Sequence, residues 1–184
     1  MRNIFTAIIL GIVLAGVSFA QTSSKALQRA GNSTKPRVAV AEFSPGPNAS
    51  GMTAEAKRQL QSSIAFSLFQ SGKFDVPDVR NTRAATQGAV VGTSAAVKIG
   101  KQLGASYVLI GSVTEYSPNP GGNGRITLKT QLVEVATGKV KHSGDATGQS
   151  ARAMTSGAGH AEMSAKVVKP CIEKLTASLT AVGL

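Results

Sequence analysis

Two histidines, one cysteine and nine side-chain carboxylates are all that this 184-residue chain offers for acid–base, nucleophilic or metal chemistry. His142 falls on a predicted strand and His160 opens the last helical segment. Neither has Cys, His, Asp or Glu at ligand spacing, so no metal site is expected. Cys171 lies on the apolar stripe of a predicted helix, where a thiol packs as a small hydrophobe and stays protonated. There is no G-x-S-x-G elbow, no phosphate loop ending in Gly-Lys-Ser/Thr, and no Ser-x-x-Lys in the setting of a nucleophile. Gly121-Gly122-Asn123-Gly124 sits between two predicted strands rather than at a helix start, so it cannot cradle a pyrophosphate and reads as a flexible loop. No catalytic residue and no cofactor is expected. The chain reads as a binding protein, not an enzyme.

Contact chemistry then falls to charge and loops. The formal net charge of +11 suits anionic partners such as lipid headgroups, lipopolysaccharide or acidic polymers. The basic residues are dispersed, with Lys57-Arg58 the one adjacent pair, and six Phe and two Tyr make no stacking platform, so nucleic acid is not an expected partner. Binding residues concentrate on loops held by a rigid scaffold. Two such stretches stand out, Ser117–Gly124 and the small-residue segment Ser143–Gly159, which reads as mobile. The candidate contact residues are Ser117, Asn119, Asn123 and Arg125 around the first, Arg152 in the second, and His160 just beyond it.

The N-terminus reads as a processing signal. Arg2 precedes an almost continuous apolar run, Ile4–Val17, and Ser18-Phe19-Ala20 supplies the small residues of a cut before Gln21. Residues 1–20 are thus expected to be a signal peptide, 21–35 a flexible leader and 36–184 one α/β domain. No cysteine stands at the cut, so no lipid anchor is expected there. The location implied is periplasmic, with or without outer-membrane association.

Hydrophobic periodicity supplies the elements that must position the loops. Arg37–Phe43 alternates Val38, Val40 and Glu42 against Ala39, Ala41 and Phe43, giving an opening strand. Ser44–Gly51 contains two prolines and reads as a surface loop. Thr53 caps a helix with Ala56, Leu60, Ile64 and Leu68 on its inner stripe, broadened by Ala65 and Phe69, while Phe66 falls off the stripe. Phe74–Val76 is a brief strand, Pro77–Thr82 a connection, and Arg80–Gly92 fits either helix or loop. Thr93 or Ser94 caps a helix carrying Ala96, Ile99 and Leu103, ended by Gly104 in the left-handed conformation. Tyr107–Tyr116 is a buried strand, and Ile126–Val135 and Lys139–Gln149 form a hairpin through Ala136-Thr137-Gly138. A C-terminal helix carries Met163, Val167, Cys171, Leu175, Leu179 and Val182, with Pro170 either kinking it or starting it.

Three of these pieces in order, the strand Arg37–Phe43, the G-A-x-Y-V-L-I-G-S-V strand at Gly104–Val113 and the L-x-x-V-x-x-T-G-x-V hairpin at Leu132–Val140, resemble the CsgG family. That family includes curli-secretion proteins and is related to LpoB and to the N-terminal domain of TolB. The resemblance implies an α/β (α+β) sandwich, a mixed sheet with packed helices. It also implies an envelope protein that works by protein–protein contact in envelope or curli-like fibre assembly, with self-association into a homo-oligomer. The alternative it implies is an LpoB-like regulator of a cell-wall synthase. Pore-forming relatives insert two lipid-facing hairpins. Ser117–Gly124 and Ser143–Glu162 lack the alternating apolar strands of ~9–11 residues that such hairpins need, so no transmembrane hairpin is expected.

Overall fold

The computed structural model describes residues 34–86, 91–119, 121–155 and 160–184. The predicted signal peptide and most of the predicted leader lie outside the described residues. Five strands form one mixed sheet: β1 (Val38–Val40), β2 (Ser44–Asn48), β3 (Tyr107–Ser117), β4 (Arg125–Glu134) and β5 (Val140–Gln149). β1 and β2 follow one another along the same side of β3, both parallel to it, while β3, β4 and β5 form an antiparallel meander. Helices α1 (Ala54–Gln70), α2 (Val79–Thr86) and α3 (Thr93–Leu103) connect β2 to β3. After β5 the chain enters α4 (His160–Met163), continues through a π-helical stretch (Ser164–Val168) and finishes in α5 (Lys169–Thr180). No helix among the described residues is long and apolar enough to cross a membrane.

Alternation along each strand divides the side chains between two faces. One face buries Val38, Val40, Leu109, Val113, Ile126, Leu128 and Leu132 against Leu60, Ile64 and Leu68 of α1 and Cys171, Leu175 and Leu179 of α5. The other carries a smaller cluster, Ala39, Ala41, Val108, Ile110 and Val133, under Ala96 of α3. Phe43 joins the larger cluster with Val38 and Val40, because residues 41–43 leave the strand conformation and the strict alternation expected to Phe43 breaks there. Gly111 makes room for it: a Cβ at that position would overlap the Phe43 ring and the Lys129 carbonyl.

Ser44–Asn48 is a strand, not the surface loop its prolines suggested. It lies at the edge of the sheet, pairs with β3 at Ser44, Pro45 and Asn48, and loses register between Pro45 and Asn48; edges and bulges are where a strand tolerates proline. Conversely, Phe74–Val76 forms only a single bridge, Asp75 beside Arg37. The connection predicted at Pro77–Thr82 is mostly helix, started by Asp78, whose carboxylate accepts the Arg80 N–H at 2.8 Å. Thr53 caps α1 as expected, accepting the Ala56 N–H at 3.1 Å. Neither Thr93 nor Ser94 caps α3: Gly92 holds that position without a side-chain bond. Gly104 does end α3 with φ 61°.

Phe69 was assigned to the inner stripe of α1, yet it is 61% exposed, and Phe66 is 60% exposed. The position on the stripe next to Leu60 belongs instead to Gln61, fully buried, which donates to the Val40 carbonyl at 2.7 Å and accepts from Arg83 Nε at 2.6 Å. One polar side chain thus ties α1 to β1 and, through Arg83, to α2.

The C-terminal helix neither stops nor restarts at Pro170. Proline has no N–H to give the carbonyl one turn back. The preceding turn widens instead, and Lys169 donates to the Ser164 carbonyl five residues earlier. The stripe Met163–Val167–Cys171–Leu175–Leu179 remains buried across the bulge, while Val182 lies past the helix and is only half-buried.

Candidate functional site

Five of the six predicted contact residues gather at one end of the sheet. Ser117 closes β3 and pairs with Arg125, which opens β4; Asn119 and Asn123 lie in the loop between them. Residues 150–154 run beside this loop: Ser150 N–H donates to the Gly124 carbonyl at 3.0 Å and Met154 N–H to the Gly122 carbonyl at 2.8 Å. Arg152 is therefore held at the same end, exposed. His160 begins α4, whose Met163 packs against Met154 next to Gly124.

Neither stretch is the free loop that its glycines suggested. Ser143–Gln149 lies within β5, and Met154 is fully buried. Gly124 is buried too, with the Met154 and Met163 sulfurs where a side chain would sit. Residues 156–159 lie outside the described residues.

From this end a half-face of the sheet extends inward that α3 does not shield: among the described residues, Ser112, Glu115, Arg125, Thr127, Lys129, Gln131, Asp145 and Thr147 form a polar surface there. Arg125 is steered by Glu115 at 3.9 Å and by the Gln149 amide at 3.4 Å. Thr127 donates to Glu115 at 3.2 Å. Lys129 stands opposite Asp145 on β5 and borders a shallow depression of about 470 Å³ with Ser44, Gly92, Ser112 and Gln131. The surface offers donors, acceptors and both signs of charge, in the manner of a polar protein interface. A second concavity of about 350 Å³ lies between α1 and the C-terminal helix, bordered by Phe66, Val168 and Ile172.

At the other end of the sheet, the hairpin motif explains itself. Thr137 donates to the Glu134 carboxylate and accepts the Lys139 N–H at 3.3 Å, while Gly138 takes φ 70°. The Thr137 bond, with further help from Lys141 and Lys139, holds the Glu134 carboxyl below the usual range.

Cys171 and the histidines are not assembled into a site. His142 Nε2 lies 3.0 Å from Ser178 Oγ, and among the described residues no cluster of three or more His, Cys, Asp or Glu could hold a metal. Burial pushes the Cys171 thiol from an ordinary 9.0 up to about 11, outweighing the nearby Lys174 charge, and its Sγ lies 3.3 Å from the Ala146 carbonyl. The folded chain therefore keeps this proton to higher pH than the unfolded one. Stability from this group is complete below about 9 and is lost as pH rises toward about 11. Thiol labelling near pH ~8 should accordingly follow unfolding, and rapid labelling of the native protein would contradict the burial.

The fold is shared with solved structures. The hypothetical protein CT253 from Chlamydia trachomatis is similar with a TM-score of 0.51 and 11% identity, over 80% of this chain and 94% of that one. The LpoB C-terminal domain from Escherichia coli is 27% identical over 61% of this chain and 81% of that one, TM-score 0.45. A PelC dodecamer from Paraburkholderia phytofirmans gives 20% identity, 76% and 86% coverage and a TM-score of 0.48. No curated protein sequence matches. Residues 48–147 match the family described as peptidoglycan-synthase activator LpoB. That description favours the cell-wall regulator over fibre secretion, and it is that of an activator, not an enzyme. With more than half its length matched, the chain belongs to the LpoB family of cell-envelope proteins.

Proposed function

We propose that the chain is a periplasmic regulator that docks on a peptidoglycan synthase and raises its activity, using the open polar half-face of the sheet next to the β3–β4 loop. The family match carries this reading, since residues 48–147 contain β3, β4 and β5 through Thr147 and hence most of that face. The geometry supports it through rigidity. Arg125, Thr127 and Lys129 sit on a central strand paired on both sides, so little ordering cost attends binding. No covalent step is involved; the work is done by complementary charge and hydrogen bonding.

Arg125→Glu combined with Lys129→Glu is the direct test, read as glycan-strand synthesis by the purified synthase with and without the chain. Both side chains are exposed, so the variant should remain folded, with the thermal midpoint lowered by a few degrees at most through the new Glu–Glu115 and Glu–Asp145 repulsion. Charge reversal at an interface is costly, and roughly ten-fold or greater weakening of binding is expected, with loss of stimulation. Undiminished stimulation by the folded double variant would remove this face from the contact. Absence of any synthase binding by the parent would remove the reading itself.

A further inference from the structure

The end of the sheet opposite the β3–β4 loop gathers positive charge from separate parts of the chain. Arg37 precedes β1, Lys73 follows α1, Lys98 and Lys101 lie on α3, and Lys139 and Lys141 flank the start of β5. Strand register joins them: Val38 and Glu134 both pair with Tyr107, and Lys101 and Glu134 border one surface depression. The side-chain carboxylates placed by these same pairings, Asp75 and Glu134, are already engaged, by Arg37 at 3.6 Å and Lys141 at 3.4 Å. Lys73, Lys98, Lys101 and Lys139 are exposed and lie in no ion pair among the described residues.

This is also the end at which the chain enters the domain. Thr34–Arg37 leads directly into β1 and brings Lys35 and Arg37 to this end. Positive charge spread over helix, turn and entry segment, with no pocket to enclose a small anion, fits an extended sheet of negative charge. From this we infer that the basic end rests on the phosphate-bearing headgroups of an anionic lipid bilayer. The inference goes beyond the synthase reading and concerns the opposite end of the sheet, so either can fail alone. Polybasic clusters next to a membrane bind in this way, each residue adding a modest increment that salt screens.

The test is flotation of the full chain with vesicles of phosphatidylcholine, with or without about a third phosphatidylglycerol, at low and at raised salt. Binding should require the anionic lipid, weaken steeply with salt, and resist inorganic phosphate at the same ionic strength. Lys101→Glu with Lys139→Glu should reduce it by roughly ten-fold or more. Arg58→Glu with Lys169→Glu, near the starts of α1 and α5, makes the same change in net charge away from this end and should leave most binding intact. Melting curves confirm that both variants remain folded. Equal losses in the two variants, binding to neutral vesicles, or no binding to anionic vesicles at low salt would each overturn the inference. So would retention only on peptidoglycan sacculi.

Discussion

Ile64→Asp, Leu60→Asp and Leu175→Asp should each leave a chain with no cooperative melting transition at neutral pH. Ile64 is fully buried and Leu60 and Leu175 are each 2% exposed, all three in the layer between the helices and the sheet. Removing such a side chain costs about 2–5 kcal/mol in lost contacts and cavity. A carboxylate without a partner in that layer adds several kcal/mol more, against a total stability of about 5–15 kcal/mol. The sign with pH is specific. Burial raises the introduced carboxyl's folded-state pKa, so any residual structure should be greatest at low pH and vanish as pH rises through the ordinary carboxylate range. Circular dichroism against temperature, at pH ~7 and pH ~4, checks both statements. Near-parent melting in all three variants would mean that α1 and α5 do not pack on the sheet in solution.

A single methyl group should be clearly destabilising at Gly148. Its Cβ would fall on the backbone carbonyl oxygen of Val167 and 2.9 Å from the Cβ of Cys171. The carbonyl belongs to the π-helical stretch and cannot rotate aside as a side-chain end can. Gly148→Ala must therefore lift the C-terminal helix from β5. Overpacking of this kind costs about 3 kcal/mol. For a domain of this size that lowers the thermal midpoint by about 6–12 °C. The same displacement should expose Cys171 to thiol reagents, which a purely local effect on β5 would not do. Gly51→Ala is the matching control, with open space around the added Cβ. A Gly148→Ala variant that melts with the parent and keeps Cys171 protected would show that the helix is free to shift.

The sequence was legible wherever one pattern dominated. Leu60, Ile64 and Leu68 recur every four residues and pack as that spacing demands, and Gly104 and Gly138 take the left-handed conformations read from their positions. It was less legible where two rules competed. Two prolines outvoted strand propensity at Ser44–Asn48, although an edge strand with a break in register can hold them. Burial of Gln61 has no local signal, because its partners, the Val40 carbonyl and Arg83, lie 21 and 22 residues away in sequence. β5 was read as polar and loosely held past Ser143. Its second signal is Ala146 and Gly148, small residues at alternate positions beside Cys171 that let a helix lie close. Ser117, Asn119, Asn123, Arg125 and Arg152 share one end of the sheet, whereas no motif marks Thr127, Lys129 and Gln131 on the half-face beside it. Nothing in the sequence says that α3 stops short of covering them.

The prolines of β2 have a consequence for assembly. A strand added beyond β2 would meet a five-residue edge that is broken in register and holds two residues without an N–H, and the neighbouring stretch of that edge is taken by the Asp75 bridge to Arg37. On the far side, β5 has no strand beyond it among the described residues. A sheet with one receptive border and one barren border can accept a single added strand, or join a second copy back to back, and there the growth ends. Polymerisation by stacking strand on strand needs two receptive borders. Strand-on-strand growth is thereby discouraged at the β2 border.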